Sequence, residues 1–107
     1  MTLKQDKVKE NLKKLSAQFI ERESNHLSLI TVMDANVSID LKRATLFVSV
    51  LPESSEESAL NFLKRQRSEL REYLKKKMDS RSIPFLDFEI DMGEKNRQRI
   101  DELSHDL

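Results

Sequence analysis

The sequence contains no cysteine and no tryptophan, a single glycine, Gly93, and two prolines, Pro52 and Pro84. Without cysteine there is no disulfide framework, no thiolate metal site and no cysteine nucleophile. The two histidines, His26 and His105, stand far apart in the chain, so a histidine metal cage is not expected. One glycine leaves no flexible loop to cradle phosphates, and neither a P-loop nor a dinucleotide fingerprint is present. No serine, histidine and acid fall into a recognisable nucleophilic arrangement, so no enzyme class and no cofactor is indicated. No stretch approaches the roughly 18 apolar residues of a spanning helix. The opening MTLKQDKVKE is polar, without the apolar core of an export signal. A cytoplasmic setting without membrane contact is the expectation. Charge of one sign is also missing, since 19 Lys and Arg balance 19 Asp and Glu. A polycation that coats any nucleic acid is thereby excluded, and any nucleic-acid surface must be a local patch. At 107 residues the chain is read as one domain over 1–107, which rules out a large two-domain enzyme.

What is present is periodicity. Val8, Leu12, Leu15 and Phe19 recur at helical spacing and predict a helix over residues 4–24. LITVMDANV, residues 29–37, is β-branched and apolar and reads as a strand. After a turn over SIDLK, residues 44–51 carry apolar groups on both faces and read as a central strand. Pro52 ends it, and Ser54 with Glu57 forms a capping-box pattern that opens a helical region to about residue 78. The apolar stripe of that region is Leu60, Leu63, Leu70, Leu74 and Met78, and its missing member is Arg67. A straight helix would drive that guanidinium into the core, so a break is expected between residues 65 and 68. Leu86, Phe88, Ile90 and Met92 then alternate with Asp87, Glu89 and Asp91, predicting a strand with one buried and one acidic face. Ile100, Leu103 and Leu107 predict a final helix. The order α-β-β-α-α-β-α, with a two-helix crossover between the last two strands, implies an α+β two-layer sandwich. Its three-stranded sheet is mixed and its helices cover one face.

With its turn residues in place, this order resembles the ribosome-binding factor A family over roughly residues 4–104. The most specific stretch is LITVMDANVSIDLKRATLFVSVL, where Asp34, Val37, Ser38, Asp40 and Leu41 fit a D-x-x-V-S-x-D-L pattern. Ala44, Val48, Ser49, Val50 and Leu51 follow in register. Arg71 with Leu74, Arg81 with Pro84, Phe88 with Asp91, and Ile100 with Leu103 match further family positions. The resemblance implies a KH-like domain of type II with a kinked helix pair. Family members mark that kink with Ala-x-Gly; here Gln66 and Ser68 occupy those positions, and Glu69 and Leu70 replace an aromatic and an aliphatic residue. The long basic tail of many members is absent.

Charge along the chain is uneven. From Lys64 to Arg81 eight cations stand against three acids, whereas residues 87–106 carry seven acids against three bases. Exposed helices often carry such lysines and arginines, and the plain reading is a solvated face. The resemblance implies more: a non-enzymatic assembly factor, a monomer, that binds the small (30S) ribosomal subunit. It would assist late maturation and processing of 16S rRNA or its precursor, in a family associated with growth in the cold. Arg65, Arg67, Ser68, Arg71, Lys75, Lys76, Lys77 and Arg81 would then face RNA, and Lys4, Lys7, Lys9, Lys13 and Lys14 could extend the patch. Asp87, Glu89 and Asp91 would repel phosphate; their ordinary role is to blunt a sheet surface, with Mg²⁺ binding or docking of a basic protein tail as alternatives. Of the aromatics, Phe62, Tyr73 and Phe85 are the candidates for base stacking, with core packing expected for each. The competing readings are a KH-like protein-interaction module that has lost RNA binding and, further off, a small nuclease using the acidic strand.

Overall fold

A computed structural model describes residues 3–23, 28–78 and 83–92. Within them the order is α1 (Leu3–Glu23), β1 (Leu29–Val37), β2 (Arg43–Leu51), α2 (Glu56–Arg65), α3 (Arg67–Lys77) and β3 (Phe85–Ile90). β2 is the middle strand, antiparallel to β1 and parallel to β3. The crossover that parallel pairing requires is the α2/α3 pair, as the periodicity predicts. The expected final helix, with His105, lies outside the described residues.

One face of the sheet carries the core. Ala35, Val37, Ala44, Leu46, Val48, Val50, Leu86 and Phe88 point to the helical layer, where Leu12, Phe19, Ile20, Ala59, Leu63, Leu70 and Leu74 meet them. α1 lies against β1 and α3, and α2 against β2 and β3. The helix spacing picks out Leu12 and Phe19 correctly, while Val8 and Leu15 sit at the margin, partly buried. The buried line of α1 also holds two polar residues, Gln5 and Ser16. The Gln5 side-chain amide donates to the Val37 carbonyl at 3.1 Å and fastens the start of α1 to the end of β1. The Ser16 hydroxyl is buried and makes no hydrogen bond among the described residues. An orphaned buried hydroxyl is destabilising, and alanine is the better helix former. Ser16→Ala is therefore expected to stabilise the protein by about 1 kcal/mol, read as a rise of several degrees in Tm.

The turn between β1 and β2 is closed by side chains. Ser38 Oγ donates to Asp40 Oδ1 at 2.6 Å, the Lys42 amide donates to the same oxygen at 3.0 Å, and the Arg43 amide donates to Ser38 Oγ at 3.1 Å. The Ser38 hydroxyl, followed by the Lys42 amide, holds the Asp40 carboxyl below its ordinary value. This network carries Leu41 through a left-handed conformation, φ 61°, which costs a branched residue about 1–2 kcal/mol. Leu41 offsets part of that cost by packing against the core.

Three expectations are corrected here. The Ser54/Glu57 capping box does not open α2: after the cis Leu51–Pro52 bond the chain makes a 3₁₀ turn over Glu53–Ser55. α2 then starts at Glu56 behind Ser55, which makes no side-chain capping bond. Met92 does not continue the buried alternation of β3, because the strand stops at Ile90 and Met92 is 65% exposed. Phe85 is not core: it is the first residue of β3, on the acidic side of the alternation, and is 53% exposed.

Both edge strands carry the same device. On β1, Asp34 accepts the Ala35 amide at 2.8 Å and lies 3.2 Å from Lys9 Nζ of α1. On β3, Asp87 accepts the Phe88 amide at 2.9 Å and lies 3.5 Å from Arg67 Nη2 of α3. Burial works to raise the Asp34 carboxyl, but the Ala35 amide and Lys9 together bring it below its ordinary value. An edge amide already bonded to a side chain, beside a bound cation, is a poor template for a further strand.

Candidate nucleic-acid interface

The helix break expected from Arg67 is present and falls at Gln66, with φ −88° and ψ 2°. The Gln66 amide still donates to the carbonyls of Phe62 at 3.0 Å and Leu63 at 3.1 Å, and the Leu70 amide donates to the Gln66 carbonyl at 2.9 Å. One residue with ψ near zero redirects the axis, and that conformation is open to any residue, so no glycine is required. Ser68 stands in the first turn of α3, past the bend. Gln66 replaces the usual small residue at the break and leaves its Oε1 buried without a partner among the described residues.

The fold divides the predicted cations among the described residues into four groups. Arg65, at the end of α2, is exposed. Arg67 turns away from it to β3: its guanidinium carbon sits 4.7 Å from the Phe85 ring centroid and Nη2 lies 3.5 Å from Asp87 Oδ1. Its Nε is buried without a partner among the described residues. Arg71 and Lys75, one helical turn apart, are exposed on the outer side of α3. Lys75 Nζ is 3.6 Å from Glu72 Oε1, a surface pair worth little. Lys76 and Lys77 instead border a groove between α1 and α3, a cavity of about 430 Å³ that also takes in Ser68 and holds Arg22, Glu23, Glu69 and Glu72. Tyr73 forms its wall, packed on Phe19 at 5.6 Å between centroids, with Arg22 5.2 Å and Lys77 5.9 Å from its ring. Tyr73 and Phe62 are partly buried against the core. Arg81 lies outside the described residues.

On α1, Lys9 is committed to Asp34, and Lys13 lies 3.8 Å from Glu10. The lysines in the last turn of α3 also complement the negative end of its dipole, a structural use independent of any ligand. Among the described residues no three His, Asp or Glu side chains converge as a metal site, and no helix is long and apolar enough to cross a membrane. Sequence reasoning missed Lys42 and Arg43, which flank the start of β2 beside Phe85. The signal was available, since Phe85 shares its strand face with Asp87 and Glu89.

The sequence profile described as ribosome-binding factor A matches residues 4–104 of this chain. The chain belongs to the ribosome-binding factor A family. The family member from Macrococcus caseolyticus is 31% identical over 113 aligned positions, which cover 99% of each chain. The crystal structure of ribosome-binding factor A from Thermus thermophilus superposes with a TM-score of 0.74 at 26% identity, over 80% of this chain and 93% of that one. A homology model of the Thermus thermophilus factor, fitted into the cryo-EM map of a 30S complex, aligns with a TM-score of 0.66 at 30% identity. It covers 76% of this chain and 88% of that one. A Thermotoga maritima solution structure, at 22% identity and a TM-score of 0.61, supports the fold alone. The three-stranded mixed sheet under a broken helix pair is thus the KH-like ribosome-binding factor A fold, built here without the family's glycine.

Proposed function

We propose that this protein binds the small ribosomal subunit as a non-enzymatic assembly factor and assists late maturation of 16S rRNA in the cytoplasm. The observation that carries the reading is the 30% identity, over most of both chains, to a factor whose homology model was fitted into the cryo-EM map of a 30S complex. The cation distribution supports a mechanism by binding alone. Arg71 and Lys75 present charge on the outer side of α3, where it releases counterions from phosphate, while the carboxylates of β3 lie on the opposite face of the domain. The RNA-facing set is then Arg65, Arg71 and Lys75 on the helical side, Ser68, Lys76 and Lys77 at the α1/α3 groove and Arg67 at the sheet edge, and Arg81, outside the described residues, completes it. Discrete contacts of this kind give specificity to a chain whose formal charge is zero.

Co-sedimentation tests this directly. The protein is expected to pellet with purified small subunits and not with large ones, with an affinity that falls steeply as salt is raised from about 50 to 200 mM. Failure to sediment with small subunits at low salt, by a folded protein, would remove the ribosomal role and leave the protein-interaction module as the reading.

A further inference from the structure

Phe85 is an aromatic ring left half in solvent at the edge of a sheet. A lone exposed apolar residue is ordinary. Its surroundings are not. Arg67 approaches the ring from α3 at 4.7 Å, and Arg43 is its register partner on β2. Phe85 also borders a cavity of about 540 Å³ lined by Lys42, Arg43, Ala44, Thr45 and Asp87, a size within the usual range of ligand sites. One ring therefore has three cations and one carboxylate around it.

This combination selects a class of ligand. A bare phosphate would use Lys42 and Arg43 but would meet Asp87 and gain nothing from the ring. An apolar peptide side chain would use the ring but leave the cations without a role. An unpaired nucleotide uses all of them: a flat base stacks on the aromatic ring, flanking phosphates take the cations, and a carboxylate accepts from an exocyclic amino group. We propose that Phe85 is the stacking platform for one unpaired RNA nucleotide, whose base enters the cavity beside Asp87 and whose phosphates lie on Lys42 and Arg43. The site rests on the rRNA-binding reading above, yet it stands at the sheet edge, apart from the outer face of α3. Asp87 gives it a preference for amino-bearing bases such as cytosine over uracil.

The test uses fluorescein-labelled single-stranded heptanucleotides of cytosine and of uracil, read by anisotropy, alongside co-sedimentation with small subunits. The wild type is expected to bind the cytosine strand more tightly. Phe85→Ala and Phe85→Leu should each weaken it by about 5- to 150-fold, and Phe85→Trp should retain it. Because Phe85 is half in solvent, all three variants should fold, with the Ala and Leu variants melting a few degrees below the wild type through loss of the Arg67 contact. The salt slope separates the parts: Phe85→Leu leaves it unchanged, while Arg43→Ala lowers it by about one phosphate's worth. Wild-type affinity in Phe85→Leu, or no binding of either strand by the wild type, would overturn the stacking site. In both of those cases retention of the wild type on small subunits would leave the ribosomal reading standing, whereas loss of that retention would remove it independently.

Discussion

The Arg71→Glu, Lys75→Glu double variant is expected to lose at least about 100-fold in affinity for small subunits at moderate salt, since a charge-assisted hydrogen bond contributes roughly 1.5–3 kcal/mol. Both side chains are exposed on the outer side of α3, and among the described residues Arg71 makes no ion pair. Neither is needed to hold the fold, so the melting temperature should stay within a few degrees of the wild type. The informative comparison is Lys76→Glu, Lys77→Glu. Those lysines border the α1/α3 groove among Glu23, Glu69 and Glu72, which already cancel part of their field. Their reversal should cost less than about 10-fold in the same sedimentation assay. The opposite ranking would move the RNA-facing surface into the groove, onto Arg22, Tyr73 and Lys77.

That comparison also marks where the sequence stops being legible. A run such as Lys75-Lys76-Lys77 reads as one patch along the chain, but consecutive helix residues point about 100° apart, so three in a row sweep past half a turn. Only the packing of Leu70 and Leu74 decides which of them faces outward. The break was legible because its signal is local: Arg67 occupies a core position of the stripe, and the cost of burying its charge forces the axis to turn. Where the guanidinium goes instead was not legible, since Asp87 lies twenty residues away and on another element. Phe85 is a different kind of miss. Its place on the acidic face follows from counting back one residue from Leu86, but the expectation that aromatics fill cores outweighed the register. The capping box failed for a third reason, because the 3₁₀ turn after Pro52 moved the helix start to Glu56.

Leu46→Ala is expected to be among the most damaging substitutions, and Phe47→Ala, one residue on, among the milder ones despite its larger side chain. Leu46 is fully buried at the middle of β2, between Ala35 of β1 and Phe88 of β3 and under the helical layer. Truncating such a leucine leaves a cavity that a packed layer closes only in part, at a cost of about 2–5 kcal/mol. In a chain of this length that is a large share of a total stability of about 5–15 kcal/mol, and it should lower Tm by roughly 10 °C or more. Phe47 points to the other face, where its register partners are Asp34 and Glu89 and its ring is only partly covered. Apolar residues stand on both sides of β2, as expected of a central strand, but among the described residues only the helix-side face is packed. The measurement is a pair of urea titrations. A Phe47→Ala loss of less than half that of Leu46→Ala, with an unchanged m value, matches a sheet that keeps one face open. Equal losses would instead show the open face covered in solution, and an occupant there would compete with any nucleotide that approaches Phe85 along the same face of the sheet.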